Sequence, residues 1–149
     1  MTQRSILLSG IATALLIPPV VFCIAGLGDG MSVGAVLSAC SDQYGARRQN
    51  LGVVALLGLF PIALLAGTLW LARRLRWLRL ANVPAALSGM LPVLLVLVWT
   101  NVEFWPIFLP ERVYPGFPHG LEFVLGPGFY GPAAMALGLS IHAALWRIP

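Results

Sequence analysis

"LARRLRWLRLA", residues 71–81, places four arginines within seven positions, between two apolar runs that contain no charged side chain. The run before this cluster covers 51–72 and the run after it covers 80–99. Each is long enough to cross a hydrocarbon layer about 30 Å thick as a helix. A short basic connection between two such runs reads as a hairpin whose turn stays among headgroups on one side of a bilayer.

Two further runs, 5–27 and 123–146, have the same character. The composition agrees, since 59% of the residues are hydrophobic and only 9% charged, against about 45 to 50% and about 25% in globular proteins. Lipid offers no partner to a bare N–H or C=O, so such runs must satisfy their backbones internally, as helices. The expected fold is an all-α integral membrane protein, a four-transmembrane-helix bundle forming a single membrane domain over residues 1–149. Its two outer loops, 28–50 and 100–122, are expected to be irregular, and its inner connection is 73–79. Arg4 followed by an apolar stretch also resembles a secretory signal peptide. The stretch is longer than the usual apolar region of about 7 to 15 residues and no clean cleavage site follows, so retention is expected.

Charge orients the spans. Arg4, Arg73, Arg74, Arg76, Arg79 and Arg147 fall on one side of a four-span chain. Arg47, Arg48 and Arg112 fall on the other, with Asp29, Asp42, Glu103, Glu111 and Glu122, for a net charge of −2 there. The positive-inside rule makes the first side cytoplasmic, with both termini on it, and makes Arg73, Arg74, Arg76 and Arg79 the topology-determining residues. The expected location is a bacterial inner membrane. Basic side chains at helix ends meet headgroups, so the net charge of +4 does not point to nucleic acid. Trp70, Trp77 and Trp146 mark the inner boundary and Trp99 and Trp105 the outer one, where amphipathic rings belong.

Each run carries proline, and kinks are expected at Pro18/Pro19, Pro61 and Pro92, whereas Pro84 near a helix start is tolerated. Small residues four apart (Gly10 and Ala14, Ala63 and Gly67, Ala85 and Gly89, Ala134 and Gly138) allow close helix approach and predict a compact bundle.

Catalytic and cofactor motifs are not found. Phosphate loops, nucleophile elbows and paired intramembrane carboxylates are missing. The two histidines, His119 and His142, fall on opposite sides, which argues against a metal site or a bis-histidine haem. Neither enzymatic activity nor a cofactor is expected. Cys23 and Cys40 could meet at the outer side, either as free thiols or as a structural disulfide. His142 reads as a packing or interfacial residue.

What remains for recognition is the outer side. The stretch "PERVYPGFPHGLEFVLGPGFYGP", 110–132, is so rich in proline and glycine that it must hug the bundle or a partner. Together with Glu103 it supplies the candidate partner-binding residues Glu103, Glu111, Phe117, His119, Glu122 and Tyr130. The expected function is a non-catalytic interaction protein, in contact with the bilayer and with another membrane or periplasmic protein. By architecture alone it looks like the small polytopic inner-membrane immunity proteins that neutralise pore-forming toxins. An accessory subunit of a larger membrane complex and a small transporter or proton-coupled factor are the alternatives.

Overall fold

A computed structural model describes residues 2–45, 51–105, 109 and 124–146. All regular structure among the described residues is helical: α1 (Gln3–Gly28), α2 (Val33–Gly45), α3 (Leu51–Arg74), α4 (Val83–Phe104), a π-helical turn (Gly126–Tyr130) and α5 (Gly131–Leu145). Three of these helices, α1, α3 and α4, are long and apolar enough to cross a membrane. The 123–146 run is divided instead, with the π turn leading into the 15 residues of α5.

Local chemistry sets the boundaries. Thr2 caps α1 by accepting a hydrogen bond from the Ser5 amide at 3.1 Å. Asn82 caps α4 by accepting one from the Ala85 amide at 2.8 Å, and Pro84 sits in the first turn, where its missing N–H is no loss. α4 therefore opens three residues later than the apolar run. The helices run through Pro18, Pro19, Pro61 and Pro92. At the end of α3 the Trp77 amide donates to the Ala72 carbonyl at 2.8 Å and the Arg76 amide to the Arg73 carbonyl at 3.1 Å. This is the Schellman arrangement, and Arg76 adopts its left-handed backbone, with φ of 56°. Glycine is favoured there, and an L side chain costs roughly 1 to 2 kcal/mol in that conformation.

α4 packs along both α1 and α5, and α3 packs along α1 and more sparsely along α4 and α5. Helices α1 and α5 do not touch among the described residues, so they occupy opposite corners. The middle of the bundle is filled by Ala14, Ile17, Ile62, Leu65, Met90, Val93, Leu97 and Leu139. Three of the four small-residue pairs take part. Gly10 receives the Met90 side chain, Gly89 receives Leu65 and Leu139, and Gly138 lies against the Ser88 carbonyl. The Ala63/Gly67 pair faces outward with open space beside Gly67.

The outward faces are as apolar as the core. Ile24 is 64% exposed, Leu56 64%, Leu95 70% and Leu137 62%. In water such faces would drive aggregation, whereas in lipid they are matched to their solvent. Association with a membrane follows.

Two expectations are corrected. The loop 28–50 is not irregular, because α2 occupies most of it. Ser32 caps that helix by accepting from the Ala35 amide at 3.3 Å, and Val36, Cys40 and Gln43, at helical spacing, are its buried face. Likewise α4 continues to Phe104, so Glu103 is a helical residue rather than part of a second outer loop.

Candidate functional site

The two ends of the bundle differ in chemistry. At one end the first turn of α1, the last of α3, the first of α4 and the last of α5 meet. Buried Gln3 donates from Nε2 to the Asn82 carbonyl at 2.5 Å and accepts from Arg73. Asn82 donates to the carbonyls of Leu78 and Arg79, at 3.2 and 3.0 Å. His142 meets the same Arg79 carbonyl through Nε2 at 3.1 Å, which ties α5 to the connection. Arg74 lies over the Trp70 ring, 5.5 Å from its centroid. This end holds the four arginines of the 73–79 connection, and among the described residues it holds no acid.

The opposite end carries the described acids: Asp29 just past α1, Asp42 on α2 and Glu103 on α4. Its core is aromatic. Trp105 is fully buried and meets Phe22 at 5.7 Å and Phe104 at 5.1 Å, edge to face in both cases. Its indole N–H donates to Asn101 Oδ1 at 2.7 Å, while Asn101 Nδ2 donates to the Leu97 carbonyl at 2.8 Å. Trp105 is thus not the interfacial ring that its place in the sequence suggests. A hydrogen-bonding partner one helical turn earlier lets the indole be buried with its N–H satisfied. Neither Asn101 nor buried Thr100 stands out as polar core in the sequence, although the four-residue spacing of Asn101 and Trp105 is a signal that could find the pair.

Trp99 is 53% exposed and meets Tyr130 edge to face at 6.0 Å. Tyr130 in turn meets Phe129 at 5.8 Å. Glu103, exposed, lies one turn beyond Trp99 on the same face of α4. The structure therefore brings Glu103 and Tyr130, two of the six candidate residues, to one end and one exposed aromatic patch. Glu111, Phe117, His119 and Glu122 lie outside the described residues. The patch is closely backed: Gly126 in the π turn packs on Thr100, and Gly131 packs on Pro61.

Cys23 and Cys40 are free thiols, and α2 brings Cys40 within hydrogen-bonding reach of Cys23. Burial first, and the neighbouring Cys23 second, push the Cys40 thiol up from 9.0 to about 11. Burial also raises the Tyr44 phenol. Because the folded state holds the Cys40 proton more tightly than the unfolded state, this contribution to stability is intact below pH 9.0 and lost as pH rises toward about 11. In a Cys23→Ser variant, where burial remains to raise the thiol, Cys40 alkylation is expected to be slow at pH 7 and still to be rising with pH above 9.0. A rate that levels off near pH 9 would contradict this environment.

The fold and its ends define a class: a small all-helical protein with membrane-competent helices, a basic end and an acidic, aromatic end. Compared with protein-family models, curated proteins and solved structures, the chain matches none.

Proposed function

We propose that this chain is a non-catalytic protein of a bacterial inner membrane that spans the bilayer four times. Its termini are cytoplasmic, and its outer end docks to another membrane-inserted protein. Support for the fourth span comes from residues 124–145, which are helical throughout, 22 residues including the π turn. That length is about 30 Å, enough for a hydrocarbon layer. The arginine-rich end supports the orientation through the positive-inside rule.

The observation that carries the reading is where polarity sits. The buried polar side chains among the described residues are Gln3, Gln43, Thr100 and Asn101, all toward the ends, while the middle is packed with aliphatic side chains fitted into glycines. A transporter needs polar or ionisable groups converging near the midplane. A dry, interlocked middle favours a scaffold that presents a surface. In its most specific form the function is immunity, with the outer patch capping a pore-forming toxin as it inserts.

Purification from native membranes is expected to retain a stoichiometric membrane partner. Tyr130→Ala should release it with little salt dependence, because a ring buries area. Glu103→Lys should weaken it in a salt-sensitive way, because exposed charges act through screened steering. Folded yield is measured alongside for both variants. A chain that keeps no partner and carries solute or proton flux alone in liposomes would overturn the reading.

A further inference from the structure

The four arginines between α3 and α4 are not equivalent. Arg73 donates to Gln3 and Arg74 stacks on Trp70, so both are engaged in the fold. Among the described residues, no side chain partners the guanidinium of Arg76 or Arg79, and both are exposed. These two help line a groove of about 400 Å³ whose remaining lining is Trp77, Leu78, Leu80 and Ala143, between the connection and the last turns of α5.

Three features converge on one kind of occupant. The groove is mostly apolar, yet its lining includes two cations with no side-chain partner among the described residues. The described acids, Asp29, Asp42 and Glu103, are at the far end of the bundle, so among the described residues no carboxylate competes for these two guanidiniums. Arg76 moreover holds a left-handed backbone where glycine is favoured, so an arginine stands there against a local preference. Trp77 and Leu78, exposed beside it, fit the depth of lipid headgroups.

We infer that this groove binds an anionic phospholipid, with the phosphate held between Arg76 and Arg79 and an acyl chain lying along Leu78, Leu80 and Ala143. Basic pockets between helices on the cytoplasmic side recognise acidic headgroups through this combination of charge and apolar wall. Two guanidiniums select for negative charge, and the apolar lining selects for a lipid over a soluble phosphate. The inference rests on reading this end as lying at headgroup level. It gives the cluster a role beyond orienting the chain, because orientation needs positive charge and no groove.

The test uses the purified full chain in neutral detergent, titrated with phosphatidylglycerol or phosphatidylcholine and followed by native mass spectrometry and thermal unfolding. Phosphatidylglycerol is expected to bind and raise Tm, and phosphatidylcholine to do neither. Arg79→Gln should weaken phosphatidylglycerol binding about five-fold. Arg74→Gln, whose guanidinium is held by Trp70, should leave it within about two-fold. Arg76→Gly is the sharpest variant. It should bind about five-fold more weakly while unfolding at an equal or higher Tm without lipid, because the left-handed position is relieved.

Unchanged binding in Arg76→Gly and Arg79→Gln would overturn the site. So would equal binding of the two lipids. Complete competition by millimolar inorganic phosphate would show a free-anion site instead of a lipid site. Micelles have no inner side, so these readings are independent of orientation, whose failure would show only in accessibility labelling of intact cells.

Discussion

Gly138→Ala is expected to destabilise the bundle by about 1 to 3 kcal/mol, as overpacking of a filled interface does. A Cβ at Gly138 would overlap the Ser88 carbonyl oxygen and crowd Pro92. The obstacle is mainly backbone, so α5 must move off α4 along their shared contact, and the aliphatic packing around Leu139 goes with it. In lipid no hydrophobic force pulls the helices back together, because side chain and solvent are equally apolar. Gly10→Ala should be milder, since its Cβ meets the flexible end of Met90. Gly67→Ala, with open space around it, should be neutral or slightly stabilising. Reversible unfolding in mixed micelles reads all three. Equal effects at the three positions would show that the helices do not interlock this way.

Trp105→Ala is expected to destabilise by about 3 to 5 kcal/mol, the range for truncating a fully buried aromatic side chain. It removes the ring that meets Phe22 and Phe104 and leaves Asn101 Oδ1 without its donor. Trp105→Phe is expected to cost less, about 1 to 3 kcal/mol, because it keeps a ring in the cluster while losing the donor and part of the indole volume. The loss should be concentrated at the acidic, aromatic end, where Cys40 and Leu51 belong to the same cluster. Cys40 alkylation should therefore accelerate in Trp105→Ala well before the network of Gln3, Arg73 and Asn82 opens. Protection of Cys40 unchanged by Trp105→Ala would mean that α2 is held by something other than this cluster.

How far the fold can be read from the sequence depends on which signals are long. The runs of α1, α3 and α4 are legible because about 20 uninterrupted apolar residues are what a helix crossing lipid requires and more than a buried core helix needs. The arginine cluster is legible because the connection between α3 and α4 is too short to hide charge. α2 escapes a sequence reading because glycines at 28 and 30 precede it, a third at 34 lies in its first turn, and the helix has only 13 residues. Its signal, Val36, Cys40 and Gln43, amounts to three positions. Trp105 is misplaced by the sequence because tryptophan near a span end is usually interfacial, and here Asn101 overrides that tendency. The left-handed Arg76 carries no sequence signal, since it arises from how α3 must end before the chain turns into α4.

The candidate patch is legible in part. Residue type alone points to Tyr130 and Glu103, and the structure adds Trp99 and Phe129 beside Tyr130. Proline and glycine in 110–132 predict a constrained segment, and the described portion shows one device by which it is constrained. The π turn presses Gly126 onto Thr100, which a larger residue could not do.

The central claim is a four-span chain with its arginine-rich end in the cytoplasm, and impermeant thiol labelling of intact cells tests it most directly. Single cysteines are introduced one at a time in a Cys23→Ser, Cys40→Ser background. Ser41→Cys and Phe129→Cys, at the acidic and aromatic end, are predicted to react from outside. Leu78→Cys and Leu145→Cys, both strongly exposed at the arginine-rich end at 71% and 75%, are predicted to react only after permeabilisation. Labelling of Leu145→Cys from outside with Leu78→Cys protected would reduce the chain to three spans, and the fully opposite pattern would contradict the orientation.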